Sequence, residues 1–180
     1  KLFEEKYLDA LEYVQTNAQY GEEGRIYNLD GLYYWIKNEL KVSEKYFRNA
    51  QFYLGLVHNR NTDILVKINF VGLLIEQNKL REATVELKVA YDLFKKTYRI
   101  LFQQIAITKD YRNSREYVAL LALIKYAAQL GEKDIVKKII QENPINDLAC
   151  HATLIEQGVF PNDVFENTCI IHANIVTLTR

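Results

Sequence analysis

The chain has 180 residues, a length typical of one compact domain or one stacked repeat array. Basic and acidic residues number 23 each, so the formal net charge is zero, which argues against a basic nucleic-acid-binding surface. Seven glycines and two prolines are too few for a β-rich fold with many tight turns, and two cysteines argue against a disulfide framework.

No stretch of the sequence resembles a membrane span. A bilayer-crossing helix needs roughly 18 consecutive apolar residues, and the most apolar run, 117–130, is shorter and contains Lys125. We therefore expect no membrane contact and a cytoplasmic location. The sequence begins at Lys1 and contains no methionine, so we interpret it as a fragment of a longer protein, with the true N-terminus and any targeting signal outside it.

Apolar residues recur at helical spacing along the whole chain and predict nine helices. The predicted spans are 3–18, 25–38, 42–57, 63–77, 80–108, 114–131, 133–142, 144–157 and 161–178. Asp63 and Ser114 are the predicted N-caps of the fourth and sixth helices, because a short polar side chain can accept a hydrogen bond from the first turn. Pro144 and Pro161 are predicted to open the last two helices, since proline suits the first helical position.

One pattern of small and large apolar residues occurs twice, forty positions apart. Its first copy contains Gly31, Tyr34, Asn38, Leu40, Ser43, Phe47 and Ala50, and its second copy Val71, Leu74, Asn78, Leu80, Ala83, Leu87 and Ala90. An earlier partial copy contains Phe3, Tyr7 and Ala10, and a later copy, offset by 53, contains Ile124, Ala127, Gly131, Val136 and Ile140. A fixed period with small residues where helices cross is typical of stacked helical repeats.

This pattern resembles the tetratricopeptide repeat, with Tyr27, Gly31 and Tyr34 in the slots of its first helix. Asp30 stands in a slot that usually holds leucine, Lys67 stands in an aromatic slot, and the usual closing proline is missing. The resemblance implies an all-α fold, a right-handed α-solenoid of antiparallel helix hairpins over residues 1–143 with capping helices in 144–180. The forty-residue period resembles the longer repeats of bacterial signalling proteins.

The resemblance also implies a concave groove lined by the first helix of each hairpin. The residues that it assigns to this groove are Arg25, Asn28, Leu32, Trp35, Ile68, Asn69, Ile75, Leu121, Lys125 and Gln129. Because most of them are apolar, an amphipathic helix of another protein would suit the groove, with the polar members fixing its orientation. The chain's own segment 164–178 would suit it equally and remains an alternative occupant.

These features predict a protein- or peptide-binding scaffold that is not an enzyme, needs no cofactor and does not itself contact nucleic acid. The alternative is a sensory or oligomerisation domain of a larger bacterial signalling or transcription-regulatory protein, which could associate with copies of itself. The sequence leaves both interpretations open.

A metal protein or enzyme is a further alternative, and it would depend on Cys150, His151, Cys169 and His172. Cys169 and His172 share a helical face, and thiolate with imidazole suits zinc. Adjacent residues on a helix diverge by about 100°, however, so Cys150 and His151 do not aim at one ion, and we expect no metal site. The sequence also contains no phosphate-binding loop, nucleophile elbow or His-Glu-x-x-His motif.

Overall fold

The computed structural model of the chain describes residues 22–58, 60–108 and 114–159, together with Glu12. Within these residues the fold is all-α, with no strand. The helices are α1 (Glu23–Ile36), α2 (Leu40–Leu56), α3 (Arg60–Glu76), α4 (Leu80–Thr108), α5 (Arg115–Gln129), α6 (Lys133–Glu142) and α7 (Leu148–Glu156). The predicted helices 3–18 and 161–178 lie outside the described residues. No helix in the described part is both long and apolar enough to cross a membrane.

One of the two predicted N-caps is confirmed and the other is wrong. The Ser114 side chain accepts a hydrogen bond of 3.1 Å from the backbone N–H of Tyr117 and so caps α5. Asp63 is not a cap, because α3 already begins at Arg60. His58 has a φ of 55°, which reverses the chain after α2 and lets the next helix start two residues later.

The predicted start of the eighth helix at Pro144 is also wrong, because α7 begins at Leu148. Asn143 precedes the proline and has an extended conformation, with φ −124° and ψ 85°, as expected for a residue whose helical conformation the proline ring disfavours. The buried side chain of Ile145 then anchors the irregular connection to the core.

Two kinds of contact hold the helices together, those between helices adjacent in the chain and those between helices two apart. Each helix from α1 to α7 packs against the next one along the chain, α1 also contacts α3, and α3 also contacts α5. The helices α1, α3 and α5 therefore form one layer. Residues 64–66, 68–74 and 117–124 of α3 and α5 are all buried, so these segments of the two helices form the centre of the core. Their nearly continuous apolar sequences allow this.

A left-handed residue ends α1, α3 and α5 in the same way. Asn38, Asn78 and Gly131 have φ values of 62°, 59° and 72°. In each turn the backbone N–H of the left-handed residue donates to the carbonyl of the residue three positions before it. The N–H of the following residue donates to the carbonyl five positions before itself, and all these bonds measure 2.9–3.0 Å. This is the Schellman pattern, which satisfies carbonyls left over at the helix end. The turn recurs at intervals of forty and 53 residues, the offsets of the sequence pattern.

The small residues of the pattern lie where helices approach closely. Ser43, Ala50, Ala83 and Ala90 are fully buried, and the Ser43 hydroxyl donates a 2.7 Å hydrogen bond to the carbonyl of Gly31. Ala10, the earlier alanine of the series, lies outside the described residues. The close contacts of α2 with α1 and of α4 with α3 therefore depend on the absence of larger side chains at these positions.

Candidate functional site

The structure buries most of the residues that were predicted to line the groove. Asn28, Leu32, Trp35, Ile68, Asn69 and Leu121 are buried, Ile75 and Lys125 are half-buried, and Arg25 and Gln129 are exposed. The buried members hold the α1–α3–α5 layer together and offer a partner little surface. The reason is that α1, α3 and α5 pack directly on one another.

Trp35 connects α1 to α3 and is not an exposed anchor. Its indole N–H donates to the carboxylate of Glu76, and its ring lies edge-on to Phe47 with 6.2 Å between ring centroids. A methyl group at Gly72 would come within 2.7 Å of the indole and 2.4 Å of the Tyr126 hydroxyl. The glycine therefore leaves the space in which side chains of α1 and α5 meet over α3.

Two predicted polar residues form a buried pair between α1 and α3. The Asn69 side-chain nitrogen donates to the Asn28 side-chain oxygen at 3.3 Å. The exposed fraction is 0% for Asn69 and 1% for Asn28. A buried amide is costly unless it is hydrogen-bonded. The pair therefore fixes the relative position of the two helices and is not available to orient a partner segment.

The accessible remainder of the predicted groove lies at one edge of α3 and α5. We call it the α3–α5 edge, and it consists of Ile75, Glu76, Lys125 and Gln129, which are exposed or half-buried. Burial lowers the pKa of Lys125, and the nearby negative charge of Glu76 opposes that shift. The ammonium also lies 5.8 Å from the centroid of the Tyr126 ring. The edge thus combines an apolar side chain with charges of both signs and an amide.

A second cluster, which the sequence interpretation missed, lies between α1 and α2. We call it the tyrosine–aspartate cluster, and it consists of Tyr27, Asp30, Tyr34, Tyr46 and Tyr53, all of them half-buried. The stacked pairs Tyr34–Tyr46 and Tyr27–Tyr53 have ring centroids 5.2 Å and 5.3 Å apart, and Tyr27 and Tyr46 join them at 6.0 Å. Tyr27, Asp30 and Tyr34 are separated by three and four residues, and Tyr46 and Tyr53 by seven, so their helical spacing was visible in the sequence. So was the acid Asp30 at a repeat position that usually holds leucine.

Asp30 is the charged member of this cluster. Burial raises the pKa of its carboxyl to about 6. Burial also raises the pKa of the Tyr27 and Tyr46 hydroxyls, and the Asp30 charge adds to both shifts. Within residues 22–58, 60–108 and 114–159, no hydrogen bond or ion pair reaches the Asp30 carboxylate. At neutral pH the cluster therefore holds a negative charge, beside four phenol rings, that no described lysine or arginine compensates.

The residues considered for a metal site do not come together in the described part of the chain. Cys150 is exposed, whereas His151 is buried and shares a hydrogen bond between its Nδ1 atom and the Tyr117 hydroxyl. The two side chains thus point apart, as adjacent helical residues should. Cys169 and His172 lie outside the described residues, within which no group of three or more potential metal ligands occurs.

No family model, no curated protein and no solved structure matches the chain. Its function is therefore inferred from the α3–α5 edge, the tyrosine–aspartate cluster and the helical layer that holds them.

Proposed function

We propose that this chain is a protein-binding module, a tetratricopeptide-like right-handed array of antiparallel helix hairpins that takes a segment of another protein. The observation that carries this proposal is the additional contact of α1 with α3 and of α3 with α5. In a compact bundle around one centre, helices two apart in sequence need not form a layer, whereas in a stacked array they must. The recurrence of one turn geometry at the ends of these helices supports the same arrangement.

The partner segment would lie along the α3–α5 edge. Ile75 supplies an apolar contact, Glu76 and Lys125 supply opposite charges, and Gln129 supplies an amide one helical turn beyond Lys125. An amphipathic helix or an extended segment with alternating apolar and polar side chains matches such a surface. The buried residues of the predicted groove would hold the α3–α5 edge rigid.

Selection from a random peptide library with the purified 180-residue chain tests the proposal. The affinity of selected peptides is then measured by calorimetry for the wild type, Lys125→Glu and Gln129→Ala. Charge reversal at Lys125 should weaken binding by about tenfold or more, since few residues contribute most of the binding energy. Lys137→Glu, an exposed lysine of α6, is the matched control and should leave the affinity unchanged.

The proposal fails if no peptide is selected, or if selected peptides bind the Lys125→Glu variant as tightly as the wild type. Equal losses in the Lys125 and Lys137 variants would also contradict it, because they would indicate nonspecific charge attraction. Far-ultraviolet circular dichroism of each variant establishes that the helices are intact.

A further inference from the structure

The tyrosine–aspartate cluster has the parts of a cation-binding site. Tyr27, Asp30 and Tyr34 follow one another on one face of α1, and Tyr46 and Tyr53 occupy one face of α2. The tyrosine rings present π-faces, which attract cations, and the carboxylate beside them carries the complementary charge. All five side chains are partly exposed, so a group from outside can reach them.

The same chain shows what such a combination holds when a cation is present. The Lys95 ammonium lies 4.9 Å from the centroid of the Tyr91 ring and 3.4 Å from a carboxylate oxygen of Glu142. The Tyr91 hydroxyl in turn donates a 2.8 Å hydrogen bond to that carboxylate. Ring, acid and cation thus form a closed triad between α4 and α6.

A second internal example uses an arginine. The Arg48 guanidinium lies 4.9 Å from the centroid of the Phe70 ring and 2.8 Å from carboxylate oxygens of both Glu44 and Glu82. Around Asp30, by contrast, rings and acid are present, but no lysine or arginine of the described residues pairs with the carboxylate. The cluster therefore matches the two triads except for the cation.

We infer that the tyrosine–aspartate cluster binds the guanidinium group of an arginine presented by a partner polypeptide. Arginine fits better than lysine because its planar group stacks on tyrosine rings and can offer two parallel N–H donors to one carboxylate. The Tyr34 and Tyr46 rings are parallel to within 3°, so a guanidinium that stacks on the outward face of one ring lies parallel to both. Asp30 precedes Tyr34 by one turn of α1. This inference does not depend on the α3–α5 edge.

Asp30 has no basic partner in the part of the chain that the structure describes, which supports the assignment. Burying a carboxylate without a counter-charge destabilises a fold, and the raised pKa of Asp30 records that cost. Perturbed acids of this kind concentrate at functional sites. An incoming guanidinium would restore the missing charge, which would favour the ionised form of Asp30.

Titration of the isotope-labelled 180-residue chain with N-acetyl-arginine amide, followed by nuclear magnetic resonance, tests this site. Saturable shifts are expected for the ring signals of the four tyrosines and for the backbone amide of Asp30. N-acetyl-citrulline amide has nearly the same shape without the charge and is the matched control ligand. It should bind at least about fivefold more weakly, because the cation–π and ion-pair contributions are lost.

Two variants and one control locate the effect. Asp30→Asn and Tyr46→Leu should each weaken arginine binding at least about fivefold, one by removing the charge and the other by removing a ring. Asp134→Asn, which changes an exposed acid on α6, should bind like the wild type. The inference is overturned if citrulline shifts the same signals equally, if no saturation occurs, or if Asp30→Asn binds arginine normally while its spectrum shows an intact fold.

Discussion

Asn38 and Asn78 lie forty residues apart and adopt nearly the same left-handed backbone conformation, with φ values of 62° and 59°. Alanine is disfavoured there because its Cβ atom approaches the following carbonyl, whereas glycine has no such contact. We expect alanine to lower the free energy of unfolding by about 1 kcal/mol relative to glycine at each position. Urea titration of the four single variants measures this difference.

Lys45 provides the matched control for these turns. It lies exposed inside α2, where alanine should be more stable than glycine by about 1 kcal/mol. The preference between the two residues should therefore reverse between the turn and the helix. Alanine that is as stable as glycine at position 78 would contradict the left-handed turn.

Gly31 and Phe47 make a close contact that the second copy of the repeat pattern replaces with Val71 and Leu87. A Cβ atom at Gly31 would lie 2.7 Å from the Phe47 ring, so Gly31→Ala should lower the free energy of unfolding by about 1–3 kcal/mol. Phe47→Leu alone should also destabilise, because it leaves a gap in the core.

The double variant Gly31→Val with Phe47→Leu places the Val71–Leu87 pair of the second copy at the equivalent positions of the first copy. It should be more stable than the sum of the two single changes predicts, since the smaller side chain makes room for the larger one. A double-mutant cycle measured by urea unfolding gives this coupling directly. Strict additivity would show that the two copies do not pack equivalently.

Trp35 is a core residue, so its replacement should mainly lower the free energy of unfolding. Only 3% of it is exposed, and it touches Gly72 while its indole N–H donates to Glu76. Trp35→Ala should lower the free energy of unfolding by about 3–5 kcal/mol. Phe52→Ala on α2 is the control, because 63% of Phe52 is exposed, and it should cost well under half as much. A stable, fully folded Trp35→Ala variant would contradict this packing.

Helix positions and turns could be predicted because they depend on local sequence. The apolar spacing gave α6 as 133–142, and the cap at Ser114 was recognisable from one polar residue before an apolar run. Asp63 had the same local signature, but the left-handed turn at His58 moved the helix start to Arg60. Whether a polar residue caps a helix depends on the preceding turn, which the side chain itself does not reveal.

The candidate sites were harder to predict because exposure depends on how helices pack. The resemblance to the tetratricopeptide repeat assigned Trp35 and Leu121 to a groove, yet both are buried. Gly72 carries a sequence signal for this packing, since a glycine in the middle of an apolar helix is typical of a position where another element approaches closely. Tyr27 and Tyr34 are seven residues apart, as are Tyr46 and Tyr53, which is visible in the sequence. Their pairing across two helices appears only in three dimensions.

Glu44 connects the first two helix pairs and should stabilise the fold in a pH-dependent way. Its carboxylate lies 2.8 Å from Arg48 and 2.7 Å from Lys79. Burial raises the pKa of Glu44, but the hydrogen bonds from Lys79 and Arg48 lower it by more. A lowered pKa in the folded chain means that the stabilisation is present above the ordinary glutamate pKa and is lost as the pH falls through the folded-state value.

Glu44→Gln should accordingly lower the free energy of unfolding by about 0.5 kcal/mol at pH 7, a value typical of partly exposed ion pairs. The difference from the wild type should shrink in acid and also in high salt. Glu156→Gln on α7, an exposed glutamate, is the control. A deficit that persists unchanged in strong acid would show that the ion pairs are not its cause.

Asp30→Asn should have the opposite pH signature. Burial raises the pKa of Asp30 from 3.8 to about 6 in the folded chain, so between these values the unfolded chain loses its proton first. Folding stability therefore falls as the pH rises through that window, and asparagine avoids this loss. Above pH 6 the variant should be more stable than the wild type by about 1 kcal/mol, a value reduced for the solvent that reaches a half-buried carboxylate.

Below the unfolded-state pKa the stability difference between Asp30→Asn and the wild type should disappear, because both forms are then neutral. Urea unfolding at several pH values measures this, with Asp134→Asn as the exposed control. A variant that gains stability at neutral pH while losing arginine binding would mean that Asp30 is kept for recognition at a cost to the fold. Equal stability of variant and wild type across the whole pH range would instead show that the carboxylate is fully solvated, and the cluster would then have no buried charge to offer.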